Sequence, residues 1–339
     1  MFLICGEALF DVFIDPIETD TPDDPITVMR AVAGGSPYNV AVGLARLGRA
    51  AALCTEISPD RLGKRLEAAL VKEGVDLSFI RRASGATPLA LVDVDPTGLP
   101  HYGFHGLRQM CLHPVAATFE AERERITGIH VGSFPIVSER SAEKLLKLVE
   151  GAGDRIVSLD PNIRLAVEPD TLLWRAQVDR FRVHAHLIKT SVEDLEAIYG
   201  VDIDAEAIAR SWVGGKTKLV VLTRGERGGV LFAGDGERIE IEAIPTIVVD
   251  TVGAGDTYQA ALLCWLDEAG LAHPDALAGL SHAQLEEMAR FAGHAAALTC
   301  ARRGPDLPRR AELQTVRAAN DVPRANAPVG HLTARASAL

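Results

Sequence analysis

A short segment, residues 248–258, combines two glycines with an acidic residue at the predicted start of a helix. It reads VVDTVGAGDTY: a β-branched run ends at Asp250, and the chain turns through Gly253, Ala254 and Gly255 before an apolar helical pattern begins. Small residues at such a turn let backbone amides approach a ligand closely, and the first amides of a helix are unpaired donors that favour anions. The segment therefore predicts an anion site of the kind that holds phosphate.

Asp256 stands directly after this turn. A carboxylate there would repel phosphate, so it suits a different task, which is to accept the proton of an attacking hydroxyl group. The alternative is that Asp256 only complements the helix dipole and that Gly253 and Gly255 only shape a turn. The motifs in the rest of the chain favour the first interpretation.

Two other patterns resemble nucleotide-binding loops but lack required glycines. Residues 215–217 read GKT, like the end of a P-loop, but that motif needs glycine at position 210, where the chain has Arg210. Residues 253–255 resemble the start of a dinucleotide fingerprint, but its third glycine would fall at Tyr258. A nicotinamide-dependent oxidoreductase is therefore disfavoured.

A second glycine-containing segment, residues 32–49, reads VAGGSPYNVAVGLARLGR. Gly34 and Gly35 precede a predicted helix with Pro37 in its first turn, so the backbone there can approach a substrate. Asn39 offers both a donor and an acceptor to a hydroxyl group; the alternative is that it caps a local turn.

The elements that must position these segments alternate between apolar runs and helical patterns, which predicts a doubly wound α/β fold. The predicted strands are 2–5, 90–94, 129–132, 156–160, 187–190, 219–223 and 229–233. The predicted helices are about 38–47, 61–73, 139–150, 192–199, 254–268 and 284–301.

Two stretches, about residues 13–31 and 86–106, interrupt this alternation. We interpret them as extra strands and turns that form a small β lid over the site; the alternative is a pair of long surface loops. Residues 311–339 are rich in Ala, Pro and Asn, and they are predicted to be a C-terminal appendage to an α/β domain of residues 1–310.

Composition excludes several classes of protein. The net charge is −11 and the pI is about 5.4, which disfavours binding to nucleic acid or to an anionic membrane surface. No apolar run reaches the roughly 18 residues of a membrane span, and the N-terminus has no basic region of the kind that starts a signal peptide. The five cysteines form no CxxC pair, which is typical of reduced thiols in a cytoplasmic protein.

The segments 32–49 and 248–258 resemble the two signature motifs of the ribokinase-like, PfkB-type carbohydrate kinase family, and the likeness covers about residues 1–308. It implies a mostly parallel sheet flanked by helices, with a small β lid. It also implies transfer of the γ-phosphoryl group of ATP to a sugar hydroxyl, with Mg²⁺ and, in some members, a monovalent cation such as K⁺. The expected partners are the sugar and ATP, and we expect a homodimer that forms through the lid.

The resemblance also implies roles for individual residues at the sugar and transfer sites. Asp256 would be the catalytic base, and the amides of residues 253–256 would form the anion hole. Arg164, in a D-x-N-x-R element, would face the sugar or the transferring phosphoryl group; the alternative is a surface arginine beside an Asp-Pro turn. The expected sugar-binding residues are Asp11, Gly34, Gly35, Asn39, Tyr102, Phe104, Arg164 and Asp256.

The family's nucleotide-binding elements are also recognisable. Lys189, Ser191 and Asp194 match its K-x-[NS]-x-x-E element, although Asp194 replaces Glu, and a serine at this spacing also predicts a helix-capping box. We expect this element to support the ATP phosphates and Mg²⁺, with Asp194 as a metal ligand. The other expected nucleotide or cation contacts are Thr223, Gly225, Gly228, Gly253, Gly255, Gly304 and Asp250, the last as a ligand of the monovalent cation. Residues 295–304 resemble the wall of the adenine pocket.

The identity of the sugar is less sharply defined by these motifs. GEALFDVF, residues 32–49 and the K-x-S element are most similar to those of bacterial fructokinases. A 2-keto-3-deoxygluconate kinase or a ribokinase is the alternative. A sugar- or nucleotide-binding regulator on the same scaffold is a different class, disfavoured because it would need neither Asp256 nor Arg164.

Overall fold

The structure, a computed structural model, describes residues 1–14, 28–94, 100–112, 116–234 and 236–314. The strands in these ranges are β1 (Phe2–Cys5), β2 (Leu9–Ile14), β3 (Met29–Gly34), β4 (Ala51–Ile57), β5 (Ile80–Arg82), β6 (Leu89–Val94), β7 (Pro100–His105), β8 (Gly128–Gly132), β9 (Ile156–Asp160), β10 (Leu187–Ser191), β11 (Leu219–Thr223), β12 (Gly229–Ala233) and β13 (Arg238–Ile241). The α-helices are α1 (Ser36–Arg46), α2 (Arg61–Glu73), α3 (Ala116–Ala121), α4 (Ala142–Glu150), α5 (Thr171–Arg182), α6 (Val192–Tyr199), α7 (Ala205–Ser211), α8 (Ala254–Glu268), α9 (Pro274–Ala278) and α10 (His282–Cys300). Short 3-10 helices are Leu107–Gln109, Arg123–Arg125, Phe134–Ile136 and Gly225–Arg227.

A nine-stranded sheet forms the centre, in the order β13-β12-β11-β10-β9-β8-β1-β4-β5. Its strands pair in parallel from β5 to β11, and β12 and β13 extend that edge in antiparallel pairing. Parallel pairing brings the carboxyl ends of these strands to one edge of the sheet, where ligands of open α/β sheets bind. The predicted doubly wound, mostly parallel fold is confirmed.

Helices cover both faces of this sheet. Along β1, Phe2 and Ile4 join one buried apolar cluster, whereas Leu3 and Cys5 join another. The first cluster contains the apolar faces of α1, α2, α8 and α10, and the second contains those of α4 to α7. Because successive side chains of a strand point to opposite faces, the strands are apolar throughout, which is the pattern that predicted them.

A separate sheet of four strands has the order β3-β2-β6-β7. It is built from two excursions of the chain, one between β1 and α1 and the other between β5 and the 3-10 helix Leu107–Gln109. The predicted extra strands are therefore present, although the first begins at Leu9, ahead of the predicted stretch. Residues 15–27 and 95–99, which belong to those stretches, lie outside the described residues.

Most predicted elements are confirmed with bounds within three residues of those in the structure. The central strand β4 and the helix α5 were not predicted. Beyond residue 310 the described chain continues to 314 and buries Leu313 in the first apolar cluster; the rest of the predicted appendage, 315–339, lies outside the described residues. Among the helices of the described residues, none has the length and hydropathy to cross a membrane.

Candidate active site

A cavity of about 260 Å³ lies where the carboxyl ends of β1, β8, β9 and β10 meet the small sheet and the start of α8. It brings together residues that are distant in sequence. The predicted site residues that line it are Asp11, Gly35, Asn39, Tyr102, Phe104, Arg164, Lys189, Gly253, Gly255 and Asp256. The predicted anion turn and the predicted sugar residues therefore share one cavity.

The start of α8 has the geometry that its sequence predicts. Gly253 precedes the helix with φ 80°, a conformation that glycine adopts without strain, and a Cβ atom there would lie 2.9 Å from Cβ of Pro305. The amide of Ala254 donates to the Thr251 carbonyl at 3.2 Å, so it is not available to a ligand. Within the described part of the chain, the amides of Gly253, Gly255 and Asp256 have no acceptor, and three of the four predicted anion-hole donors are free.

Asp256 is oriented by a residue of the other signature segment. The side-chain amide of Asn39, on α1, donates to Oδ2 of Asp256 at 2.8 Å. This bond fixes one carboxylate oxygen and leaves the other without a partner among the described residues, on the wall of the cavity. The Asn39 side chain thus contacts the predicted base. Its contact with the sugar stays a prediction.

Asp11 projects from β2 towards the two glycines before α1. A Cβ atom at Gly34 would lie 2.1 Å from Oδ2 of Asp11, so only glycine leaves room for this carboxyl group. Gly35 has φ 103° and packs on the carbonyl oxygen of Glu7. Burial, followed by the negative charge of Asp256, raises the pKa of Asp11 to about 7.

Substitution of Gly34 by alanine should displace the Asp11 carboxyl group and weaken sugar binding. We expect the KM for the sugar to rise about tenfold or more, since the loss of a charged hydrogen bond costs roughly 1.5–3 kcal/mol. Steady-state kinetics will measure the change. Gly103→Ala is the matched control in the same sheet, because a Cβ atom there would make only ordinary contact with Leu91 at 3.9 Å; an equal KM change in both variants would contradict the interpretation.

Arg164 lies on the cavity wall, and not on the outer surface. The chain reaches it through Asn162, whose φ of 42° is in the left-handed region that Asn tolerates. Nη1 of Arg164 donates to the Ile163 carbonyl at 2.8 Å, which holds the guanidinium group without neutralising it. A guanidinium group fixed in this way suits the spread charge of a phosphoryl group.

Lys189 forms a buried ion pair under the anion turn. Its Nζ lies 2.7 Å from Oδ2 of Asp160, and the two side chains are only 6% and 1% exposed. Burial lowers the pKa of Lys189, but the surrounding carboxylates outweigh that effect and raise it above its ordinary value, so the side chain stays charged. A Cβ atom at Gly255 would lie 3.1 Å from Nζ, so this glycine gives the ammonium group access to the turn.

The other predicted site residues do not line this cavity; they are the sugar residue Gly34, the anion-hole residue Ala254, and the nucleotide and metal residues Ser191, Asp194, Thr223, Gly225, Gly228, Asp250 and Gly304. Two of them, Ser191 and Thr223, pair at the adjacent ends of β10 and β11. The capping box predicted as the alternative for Ser191 and Asp194 is present, since each side chain bonds the backbone of the other. The roles of these residues towards ATP stay predictions.

The predicted metal ligands already accept hydrogen bonds. Oδ1 of Asp194 accepts from the Ile163 amide at 2.7 Å, and its Oδ2 accepts from Ser191. Asp250 accepts from the amides of Val252 at 3.0 Å and Gly304 at 2.8 Å. The described residues contain no group of three or more His, Cys, Asp or Glu side chains that could hold a metal ion. A metal ion beside Asp194 or Asp250 would therefore take most of its ligands from phosphate and water.

Ten of the residues that line the cavity were not predicted as site residues, among them Glu7, Ser133 and Phe134. Glu7 was detectable, because it is a charged residue that only Gly6 separates from an apolar strand. Ser133 has φ 57° after β8, which its sequence does not indicate. Ser133 donates to Oε1 of Glu7 at 2.7 Å, and this contact depends on the pairing of β1 with β8.

Comparisons with known proteins show the family of this chain. The sequence profile described as "pfkB family carbohydrate kinase" matches residues 4–311. A fructokinase of Rhizobium leguminosarum bv. trifolii is 31% identical over 267 residues, which are 78% of this chain and 79% of that protein. A fructokinase of Klebsiella pneumoniae is 33% identical over 287 residues, which are 82% of this chain and 87% of that protein.

Solved structures share the fold. The fructokinase of Xylella fastidiosa with bound ATP has a TM-score of 0.82 at 24% identity, over 94% of this chain and 98% of that one. A putative ribokinase II from E. coli, in complex with ATP and Mg²⁺, has a TM-score of 0.74 at 21% identity, over 94% and 99% of the two chains. With the family profile covering nearly the whole sequence and the sequence relatives above 30% identity, this chain belongs to the pfkB family of carbohydrate kinases.

Proposed function

We propose that this carbohydrate kinase transfers the γ-phosphoryl group of ATP to a hydroxyl group of a neutral sugar, and that fructose is its preferred acceptor. The observation that carries this proposal is the start of α8, where the Asp256 carboxylate shares the cavity with the free amides around it. The carboxylate accepts the proton of the attacking hydroxyl, and the amides bind the phosphoryl oxygens. Arg164, which lines the same cavity, stabilises the same oxygens.

The charges on the cavity wall favour a neutral acceptor. Three carboxyl groups, those of Glu7, Asp11 and Asp256, line it and outnumber the one guanidinium group, that of Arg164, whereas Lys189 is already held in a buried ion pair. A sugar acid such as 2-keto-3-deoxygluconate would add another carboxylate to this group and be repelled. A neutral sugar instead supplies hydroxyl donors to the carboxyl groups. The names of the relatives, which are fructokinases, support fructose among the neutral sugars.

The nucleotide is proposed to extend from the anion turn along the ends of β10 and β11, past Ser191 and Thr223. Oδ1 of Asp160 is buried without a hydrogen-bond partner in the described structure, and Asp194 contributes to the field around it. These carboxylates fit an Mg²⁺ ion that keeps several waters and binds mainly to substrate phosphates. When bound, such an ion neutralises phosphate charge. Asp250 and Gly304 are the proposed contacts of a monovalent cation.

The small sheet is proposed to act as the lid. Asp11, Tyr102 and Phe104 reach the cavity from it, and the rings of Tyr102 and Phe104 stack with centroids 6.0 Å apart. Closure of such an element over a sugar excludes water and so limits hydrolysis of ATP. Met29, on the edge strand β3, is 50% exposed, and the proposed homodimer would cover this edge.

A sugar panel tests the proposed function. ADP release by the purified protein with ATP and Mg²⁺ will be measured with fructose, ribose, 2-keto-3-deoxygluconate and no sugar. We expect kcat/KM for fructose to exceed the other values by about tenfold or more, the scale on which pockets separate related substrates. A preference for 2-keto-3-deoxygluconate would refute the charge argument, and a preference for ribose would refute fructose. Failure to release ADP with any sugar or nucleoside would favour the regulator.

A further inference from the structure

Glu7 is a charged residue that the transfer mechanism does not use. Only Gly6 separates it from β1, and it lines the cavity although the residue is only 3% exposed. Burial raises its pKa to about 7, against the opposite effect of the bond from Ser133. A buried carboxyl group must be compensated by hydrogen bonds, because its transfer out of water is costly.

Only half of this carboxyl group is compensated. Oε1 accepts the hydroxyl of Ser133 at 2.7 Å, whereas Oε2 is shielded from solvent and has no partner in the described part of the chain. An acceptor left in this state costs roughly 1–3 kcal/mol of stability. Buried polar atoms without partners in otherwise well-packed proteins call for an explanation, such as a ligand that completes the bond.

The surroundings of Glu7 indicate where the missing donor comes from. Its carbonyl oxygen lies 2.9 Å from the position of a Cβ atom at Gly35, so Glu7 is held against the turn that leads to Asn39 and α1. Asp11 and Asp256 line the same cavity; the charge of Asp256 raises the pKa of Glu7 and that of Arg164 lowers it, while the charge of Glu7 raises the pKa of Asp11. A donor beside three carboxyl groups must be neutral or positive, and a sugar carries several hydroxyl donors.

We propose that the Glu7 carboxyl group accepts a hydrogen bond from one sugar hydroxyl and makes that hydroxyl a condition of substrate recognition. This inference rests on the proposed function, since it names the sugar as the donor. Glu7 is thereby a specificity-determining residue, and it takes no part in proton transfer to or from the reacting group. Ser133 is a positioning residue, because it holds the other oxygen of the same carboxyl group.

The proposal has a direct consequence for substrate analogues. A site built to bond a hydroxyl group rejects the analogue that lacks it, because a buried acceptor is then left unpaired. For the wild-type enzyme, one monodeoxy analogue of the preferred sugar should bind about 100-fold more weakly than the sugar itself. In Glu7→Ala this acceptor is absent, so the missing hydroxyl group of the same analogue should weaken binding much less than in the wild type.

The test is a cycle between enzyme variants and analogues. Inhibition constants of the set of monodeoxy analogues against sugar phosphorylation are compared for wild type, Glu7→Gln and Glu7→Ala. In the wild type, one missing hydroxyl group should raise the inhibition constant strongly; in Glu7→Ala we expect the same missing hydroxyl to raise it by about tenfold or less. Glu7→Gln should be intermediate, because its amide oxygen still accepts a hydrogen bond. The wild-type series is informative without any variant: if every analogue binds as well as the sugar, the proposal is wrong.

Glu56→Gln is the matched control. Glu56 is another buried glutamate, 8% exposed, at the end of β4, and Cys111 donates its amide to Oε2 at 2.9 Å. It does not line the cavity, so its substitution should leave the pattern of penalties unchanged. If the wild-type enzyme phosphorylates the sugar and every variant shows the same set of inhibition constants, the role of Glu7 is wrong while the proposed function stands. If the wild-type protein neither binds nor phosphorylates any sugar, the proposed function fails and this inference fails with it.

Discussion

Replacement of Asp256 by Asn should lower kcat for sugar phosphorylation by about 10²–10⁴-fold, the usual contribution of a positioned proton acceptor. The amide has nearly the same shape and can still accept the bond from Asn39, which is 2.8 Å long in the structure. It cannot take the proton of the attacking hydroxyl. The loss should therefore appear in kcat, and KM for the sugar should change only a few fold.

The control for this experiment lies on the same helix. Asp267, near the end of α8, pairs with Arg49 at 3.2 Å and does not line the cavity. Asp267→Asn is expected to retain wild-type kinetics. Should Asp256→Asn also keep near-wild-type turnover, the carboxylate would not be the base, and its place in the transfer step would have to be abandoned.

The second large effect concerns stability. Lys189→Met should reduce the free energy of unfolding by about 3–5 kcal/mol, because it leaves the buried Asp160 carboxyl group without its charged partner. Urea or thermal denaturation will measure the loss. Lys216→Met is the comparison, since Lys216 is exposed and surface substitutions usually change stability by about 0.5 kcal/mol or less.

A double variant separates the ion pair from the loss of a large side chain. Asp160→Asn in the Lys189→Met background removes the remaining buried charge, so the double variant should be more stable than Lys189→Met alone. Burial already raises the pKa of Asp160 to about 6, even with Lys189 beside it. If the two changes are simply additive, the pair contributes nothing specific and its assigned role in stability is wrong.

The parts of the site that could be predicted are those whose function depends on local sequence. The helix α8 was predicted with both bounds correct, because the glycine turn marks its start and its apolar pattern is long. This helix is determined by neighbours along the chain, where turn chemistry and periodicity apply. Arg164, by contrast, was predicted from the family resemblance of its D-x-N-x-R element, and it lies on the cavity wall.

The parts that were missed depend on contacts between distant segments. Glu7 and Ser133 meet only because β1 pairs with β8. The strand β2 pairs with β3 and β6 in a separate sheet and carries Asp11 in its middle. Because this charged residue interrupts the apolar run, the sequence pattern did not predict the strand. The helix α5 is different: Asp170 caps it, and Trp174, Val178 and Phe181 form its buried stripe, so its signal was present in the sequence.

The separation of the two sheets has a consequence for how such an enzyme changes its substrate over evolutionary time. Asp11, Tyr102 and Phe104 come from the four-stranded sheet, whereas Arg164, Lys189 and Asp256 belong to the central domain. The two excursions that build the small sheet can vary in sequence and length without disturbing the central strands. The contacts that the small sheet is proposed to make with the sugar can therefore diverge by themselves, while Glu7 and the residues proposed for phosphoryl transfer, which the nine-stranded sheet and its helices position, are retained.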